Sequence, residues 1–331
     1  MSLTPTYVGL AAANLAAWLW AYAAFADRPA LLAMALLAYV FGLRHAVDAD
    51  HIAAIDNVVR KLVQENKRAE HVGLYFSLGH ATVVVLATAV VASAATHFQE
   101  LLAEVARIGA FVGAATSATF LLLVGVLNLV VLRGIWRAFV RAQRGEPLEP
   151  GFAPGGLLSR IFGGTFGAIG RAAHMYPLGF LFGLGFDTAT EVGLLGMSAS
   201  SAAGGLRVHE VMIFPALFTA GMALVDTTDS ILMVRAYRWA FVRPARKLWY
   251  NLTMTGASVA VALGLGGVEA LHLVAEKLEL DGPFWRTVQG VNQSLASLGA
   301  VVVALFMGSW LVSVAIYRWK RFDDLAATTQ S

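Results

Sequence analysis

Long apolar stretches recur along the whole chain and are separated by shorter segments that carry most of the charged residues. A bilayer core of about 30 Å requires roughly 20 apolar residues in one helix, and eight stretches reach that length. The pattern predicts eight transmembrane spans, numbered here in chain order. Their predicted bounds are Thr6 to Ala26, Leu31 to Val59, Val72 to Ala95, Ile108 to Leu132, His174 to Ser198, Val208 to Val234, Leu248 to Val274 and Val291 to Tyr317.

Composition supports the same class of protein. Of the 331 residues, 58% are hydrophobic and only 14% are charged. These proportions are typical of an all-α polytopic membrane protein. No Lys or Arg precedes span 1, and the span is longer than the apolar core of a signal peptide, so we interpret it as a retained helix.

Lys and Arg residues are distributed unequally between the two sets of loops. Eighteen of the 24 follow even-numbered spans, five lie in the opposite loops, and Arg44 lies inside span 2. The positive-inside rule then places both termini in the cytoplasm, with the chain crossing a bacterial-type cytoplasmic membrane several times. The net charge of +3 is explained by loops that face anionic membrane lipid, so no nucleic-acid partner is implied.

The longest polar connection covers residues 133–173 and is rich in Arg, Gly and Pro. This composition predicts a cytoplasmic linker. The linker divides the chain into an N-terminal four-helix half, residues 1–132, and a C-terminal four-helix half, residues 174–331.

The two halves contain short similar segments. Phe41-Gly42-Leu43 resembles Phe182-Gly183-Leu184, and the segment from Phe76 to Ala81 resembles that from Phe218 to Ala223. The similarity relates spans 2 and 3 to spans 5 and 6. Because span 2 runs inward and span 5 outward, the relation predicts an inverted repeat with a site at its interface.

Ionisable residues within the spans gather near mid-membrane depth. An Asp, Lys or Arg near the bilayer centre costs roughly 2.5 to 3.5 kcal/mol, so such residues usually serve a pathway, a relay or a ligand. Six of the nine candidates are acids and only Arg44 is a permanent cation nearby, so a cation, water or protons must offset their charge. The candidate metal ligands are His45, Asp48, Asp50 and His51 in span 2, His80 in span 3, Asp187 and Glu191 in span 5, and Asp226 and Asp229 in span 6.

The spacing in span 2 conflicts with one regular helix. At 100° per residue, His45, Asp48 and His51 share a face, whereas Asp50 points to the other side. Either the helix is unwound near Ala49, or Asp50 serves a neighbouring helix or a second site. Arg44 precedes Asp48 by four residues, so the two are expected to form an ion pair.

The chain contains no cysteine, so any metal must be held by nitrogen and oxygen atoms. Imidazole and carboxylate ligands suit divalent Ni, Co, Mn, Fe or Zn and disfavour Cu(I).

Four further ionisable residues lie near the ends of spans, where we expect solvated interfacial side chains: Asp56, His174, Glu269 and His272.

Four of the polar segments resemble the signatures of the nickel/cobalt transporter family, NiCoT. The span-2 signature R-H-A-[VF]-D-A-D-H-I is matched at all nine positions. The matching segments are Arg44 to Ile52, Leu78 to Val84, Leu184 to Glu191, and Gly221 to Asp229. The resemblance implies a permease for Ni(II) or Co(II) that uses neither ATP hydrolysis nor an ATPase subunit and has no cofactor.

The same resemblance implies that His45, Asp48, Asp50 and His51 are essential, followed by His80.

Import is favoured because an inside-negative potential of 100 mV is worth roughly 4.6 kcal/mol to a divalent cation. Alternatives are a transporter of another divalent metal, such as Mn, Fe or Zn, or a metal exporter. An intramembrane metalloenzyme is disfavoured because the motif H-E-x-x-H is absent from the sequence.

Overall fold

The computed structural model describes residues 3–93, 99–144, 169–185, 188–240 and 244–294, together with five single positions between 301 and 312. Within these residues the structure is helical and contains no strand, as predicted. A single 3₁₀ turn, Ala172–His174, precedes the sixth α-helix. The helices are α1 Thr4–Phe25, α2 Pro29–His45, α3 Ala49–Gln64, α4 Val72–Ser93, α5 Gln99–Gln143, α6 Met175–Gly183, α7 Ala189–Ala203, α8 Val208–Val211, α9 Ile213–Ala240, α10 Pro244–Lys277 and α11, residues 283–294.

Five stretches of the described residues are long and apolar enough to cross a membrane. A sixth is formed if α2 and α3, which meet at a bend of 49°, count as one span. The protein is therefore a multi-pass membrane protein. The five stretches are Thr4–Phe25, Val72–Ser93, Ala110–Arg137, Val208–Arg238 and Leu252–Lys277.

Two of the eight predicted spans are not among these candidates. Span 5 is divided into α6 and α7, which have 9 and 15 residues and are each shorter than a membrane crossing. The division lies between Leu184, which caps α6, and Thr188, which caps α7. Most of span 8 lies outside the described residues.

Glycines bring the backbones of α4 and α6 into direct contact. A Cβ atom on Gly79 would lie 2.0 Å from the carbonyl oxygen of Tyr176, and one on Gly179 would lie 2.0 Å from that of Phe76. Helix α2 approaches α9 in the same way, because a Cβ on Gly42 would lie 2.1 Å from the carbonyl oxygen of Phe218. Small residues permit such close packing in membranes, and here they draw α2, α4, α6 and α9 together.

A buried polar network joins α3 to α9 and α10. Asp56 is fully buried and accepts hydrogen bonds from the hydroxyls of Tyr237 and Ser258. Arg60 is also buried and donates to the side-chain oxygen of Asn57 at 2.8 Å. The expectation of a solvated interfacial Asp56 is therefore wrong, because α9 and α10 cover this face of α3.

Replacing Tyr237 with phenylalanine is expected to lower the free energy of unfolding by about 1 to 2 kcal/mol, since the carboxylate of buried Asp56 would lose a donor. Denaturant unfolding of the purified protein in detergent measures the change. Tyr22→Phe is the matched control, because Tyr22 is 65% exposed. Equal losses in the two variants would show that the network does not stabilise the fold.

Candidate metal site

Three histidines from three helices meet inside the helical bundle. His45 is the last residue of α2, His51 lies in the first turn of α3, and His80 lies on α4. All three are buried, and each has a ring nitrogen within 4.8 Å of one on both of the others. The Nε2 atoms of His45 and His80 are 3.0 Å apart, so one ring N–H donates a hydrogen bond to the other ring nitrogen when no ion lies between them.

The break between α2 and α3 positions two of these rings. Helix α2 ends at His45, and Asp48 takes an extended conformation as the N-cap of α3. Of the two alternatives that the sequence left open, the structure shows the unwound segment, at residues 46–48, and this break brings His45 and His51 to ring centroids 4.6 Å apart. The predicted ion pair is confirmed as well, with Arg44 Nη1 and Asp48 Oδ1 separated by 3.5 Å.

Three buried carboxylates surround the imidazoles. Asp48 Oδ2 lies 2.9 Å from Nδ1 of His45, and Glu191 Oε1 lies 2.7 Å from Nε2 of His80. On the opposite side, Asp226 Oδ2 lies 3.3 Å from Nδ1 of His51. Helices α7 and α9 thus each add a carboxylate to the histidines of α2, α3 and α4.

Several buried polar atoms of this cluster have no hydrogen-bond partner among the described residues. They include Nε2 of His51, Nδ1 of His80 and Oδ1 of Asp226. A buried polar group without a partner costs about 1 to 3 kcal/mol, so a bound ion or water would be stabilised by these atoms. Imidazole nitrogen and carboxylate oxygen are the donors that divalent transition metals accept.

The structure brings six of the nine predicted residues into this cluster: His45, Asp48, His51, His80, Glu191 and Asp226. The other three are placed differently. Asp50 is half-buried, and its Oδ1 accepts a hydrogen bond from the backbone N–H of His51 at 2.9 Å. Asp229 is half-buried one turn beyond Asp226, and its Oδ2 has no partner among the described residues. Asp187 lies outside those residues, so its role stays a prediction.

Two threonines at the site were not predicted from the sequence. The hydroxyl oxygens of Thr188 and Thr190 lie 3.4 and 3.2 Å from Nδ1 of His45. Thr188 also caps α7 and donates to Oε2 of Glu191 at 3.0 Å. Both threonines lie within the Leu184 to Glu191 segment that resembles a family signature, but neutral hydroxyls are common in membrane helices and were not singled out as ligands.

The fold and this site define a class: a helical membrane protein with a histidine and carboxylate cluster buried between its spans. The family model described as "High-affinity nickel-transport protein" (NicO) matches residues 31–316. The chain therefore belongs to this family. No solved structure matches it.

Named relatives cover most of the chain. It is 56% identical over 317 residues to the "Hydrogenase nickel incorporation protein HupN" of Bradyrhizobium diazoefficiens, covering 94% of this chain and 82% of HupN. It is 52% identical to the "High-affinity nickel transport protein" of Cupriavidus necator, and the match covers 96% of this chain and 92% of that protein. It is 38% identical to the "Cobalt transport protein NhlF" of Rhodococcus rhodochrous, and the match covers 87% of this chain and 85% of NhlF.

Proposed function

We propose that this protein imports Ni(II) and/or Co(II) across the cytoplasmic membrane through the buried site between its helices. Membership of the nickel-transport family supports the substrate, and a relative named for cobalt transport supports the second ion. A family of transporters also makes the protein a transporter and not an enzyme, with the metal as its substrate and not as a cofactor.

The observation that carries the proposal is the convergence of His45, His51 and His80 in the interior of the bundle. Three imidazoles favour Ni(II), Co(II) or Zn(II) over Mn(II) and Mg(II), which prefer oxygen ligands. The carboxylates of Asp48, Asp50, Asp187, Glu191, Asp226 and Asp229 would offset the charge of a divalent ion and lower the cost of its passage through lipid.

Helix packing supports the inverted repeat as part of this proposal. Helix α2 packs mainly against α9, and α6 packs mainly against α4. If spans 2 and 3 correspond to spans 5 and 6, these two contacts are equivalent. Helix α2 ends two residues after its Phe-Gly-Leu segment, and α6 ends within its own. Broken helices at a repeat interface are typical of secondary transporters. The eight spans, the division at residues 133–173 and the cytoplasmic termini complete the architecture that we propose.

Transport by the purified protein in liposomes tests this function. With an inside-negative potassium diffusion potential, we expect Ni(II) and Co(II) to accumulate, and excess Mn(II) or Mg(II) to compete weakly. Collapse of the pH gradient at constant voltage tells whether proton movement is coupled to the metal. Nickel uptake no faster than in protein-free liposomes would contradict the proposal, and preferred Mn(II) or Fe(II) uptake would assign another substrate.

A further inference from the structure

A cavity of about 770 Å³ with both polar and apolar lining extends from the candidate metal site to one end of the bundle. Asp48, Asp50 and Thr188 line its inner part. The remainder is lined mainly by the last turns of α10, the connection to α11 and the polar face of α11, with Leu121 of α5 and Val192 of α7. In the orientation predicted from Lys and Arg, this connection lies on the non-cytoplasmic side.

One face of α10 points along this cavity. Glu269, His272 and Glu276 all line it, and their spacing of three and four residues places them within about 60° on the helix. They span roughly 10 Å along the axis at 1.5 Å per residue. Glu269 is only 9% exposed and its Oε2 accepts a hydrogen bond of 2.9 Å from Ser117, so α5 holds this carboxylate in place. The expected interfacial position of Glu269 is therefore wrong.

The cavity is strongly acidic. Its lining includes five carboxylates, from Asp48, Asp50, Glu269, Glu276 and Asp281. Arg286 is the one Arg or Lys among the described residues that line it, and its Nε lies 3.2 Å from Oδ1 of Asp281. A cleft lined by charges of one sign concentrates the opposite ion and raises its rate of association by roughly 10- to 1,000-fold.

The carboxylate of Asp48, which is 2% exposed, lies at the inner part of the cavity. Its Oδ1 accepts no hydrogen bond from the described residues and lies 3.5 Å from Nη1 of Arg44, so a cation that arrives there would compete with this arginine. A water molecule occupies about 30 Å³, so an ion with six waters needs roughly 200 Å³. The cavity can therefore admit a fully hydrated divalent cation, which would lose its waters only near Asp48 and the histidines.

We infer that this cavity is the entry vestibule of the transporter, in which hydrated Ni(II) or Co(II) is captured before it reaches the buried site. Glu276 meets the entering ion first, His272 and Glu269 lie deeper along the same face of α10, and Asp48 and Asp50 receive the ion. This inference rests on the proposed function and gives α10 and α11 a role in substrate capture that the sequence did not indicate.

Replacing the capture residues tests the inference in proteoliposomes. The double variant Glu269→Gln with His272→Gln is expected to raise the KM for nickel uptake about tenfold and to keep Vmax within about twofold of the wild type, because the cleft loses attraction but the buried site stays intact. The double variant His272→Gln with Glu276→Gln tests the same face without changing the buried Glu269. We expect its KM to rise as well. At high salt, the difference in KM between the wild type and both variants should shrink, because dissolved ions screen the charges of the cavity.

Glu279→Gln is the matched control, because Glu279 is exposed at the same end of α10 but does not line the cavity. Its KM should equal that of the wild type. An unchanged KM in both double variants would overturn the vestibule. Absence of nickel uptake in the wild type would instead overturn the proposed function, so the two failures are distinguishable.

Cysteine labelling gives an independent test, since the chain has no native cysteine. Gln289 lines the cavity, whereas Thr287 is exposed on the same helix and does not. A membrane-impermeant thiol reagent applied to whole cells should block nickel uptake by Gln289→Cys but not by Thr287→Cys, and nickel should slow the modification of Gln289→Cys. Full activity of the labelled Gln289→Cys variant would contradict the inference.

Discussion

Replacing His80 with alanine is expected to reduce nickel uptake about a hundredfold. The Nε2 atom of His80 lies 3.0 Å from that of His45 and 2.7 Å from Oε1 of Glu191, so the variant would lose one imidazole and the hydrogen bond that orients Glu191. Two histidines would remain, and the affinity of the site for a divalent metal would fall accordingly.

Initial uptake rates of radiolabelled nickel at equal membrane abundance measure this loss. His209→Ala is the control, because His209 is exposed and lies outside the cluster. We expect its uptake to match the wild type. If His80→Ala transported nickel at the normal rate and KM, the cluster of three histidines would not be the transport site.

The second large effect is expected for Gly79→Ala. The new methyl group would lie 2.0 Å from the carbonyl oxygen of Tyr176, so α4 and α6 would have to separate along their shared surface. Overpacking a tight core usually costs about 1 to 3 kcal/mol, and we expect at least the upper value because a backbone atom opposes the methyl. His80 is the next residue, so the shift would also displace a proposed ligand and abolish uptake.

Gly196→Ala on α7 is the matched control, because no atom lies within 4 Å of the Cβ that it would add. Alanine at such a position in a helix is expected to stabilise the protein by about 0.4 to 1 kcal/mol. Thermal unfolding in detergent separates the two variants. Similar midpoints for both would show that α4 and α6 can adjust without cost.

The relation between sequence and structure differs between the two broken helices. Between α2 and α3, the angular conflict between Asp50 and its neighbours left two alternatives, an unwound helix or a separate role for Asp50, and the structure shows the unwound segment. Between α6 and α7, the sequence did not indicate the same kind of break. Asp187 and Glu191 are four residues apart and share one face of a regular helix, so their spacing showed no angular conflict. Hydropathy over 20 residues does not register a short loss of helical hydrogen bonds.

The candidate ligands show the same difference. The identities of His45, His51 and His80 were evident, because ionisable residues are rare in apolar spans and nitrogen ligands indicate a transition metal. Which carboxylate meets which imidazole was not. Glu191 contacts His80 and Asp226 contacts His51 across more than 100 residues of sequence, and these pairings follow from the packing of α7 and α9.

By itself, the sequence determined that this is a polytopic helical membrane protein and indicated the candidate ligands of a transition-metal site, because hydropathy and ligand chemistry are properties of local composition. The tertiary structure decided the burial of Asp56, the pairing of the carboxylates and the acidic cavity beside α10. Each of these features depends on contacts between helices that are distant in the chain. Such contacts are set by the close fit of small residues such as Gly42 and Gly79, which residue periodicity does not encode.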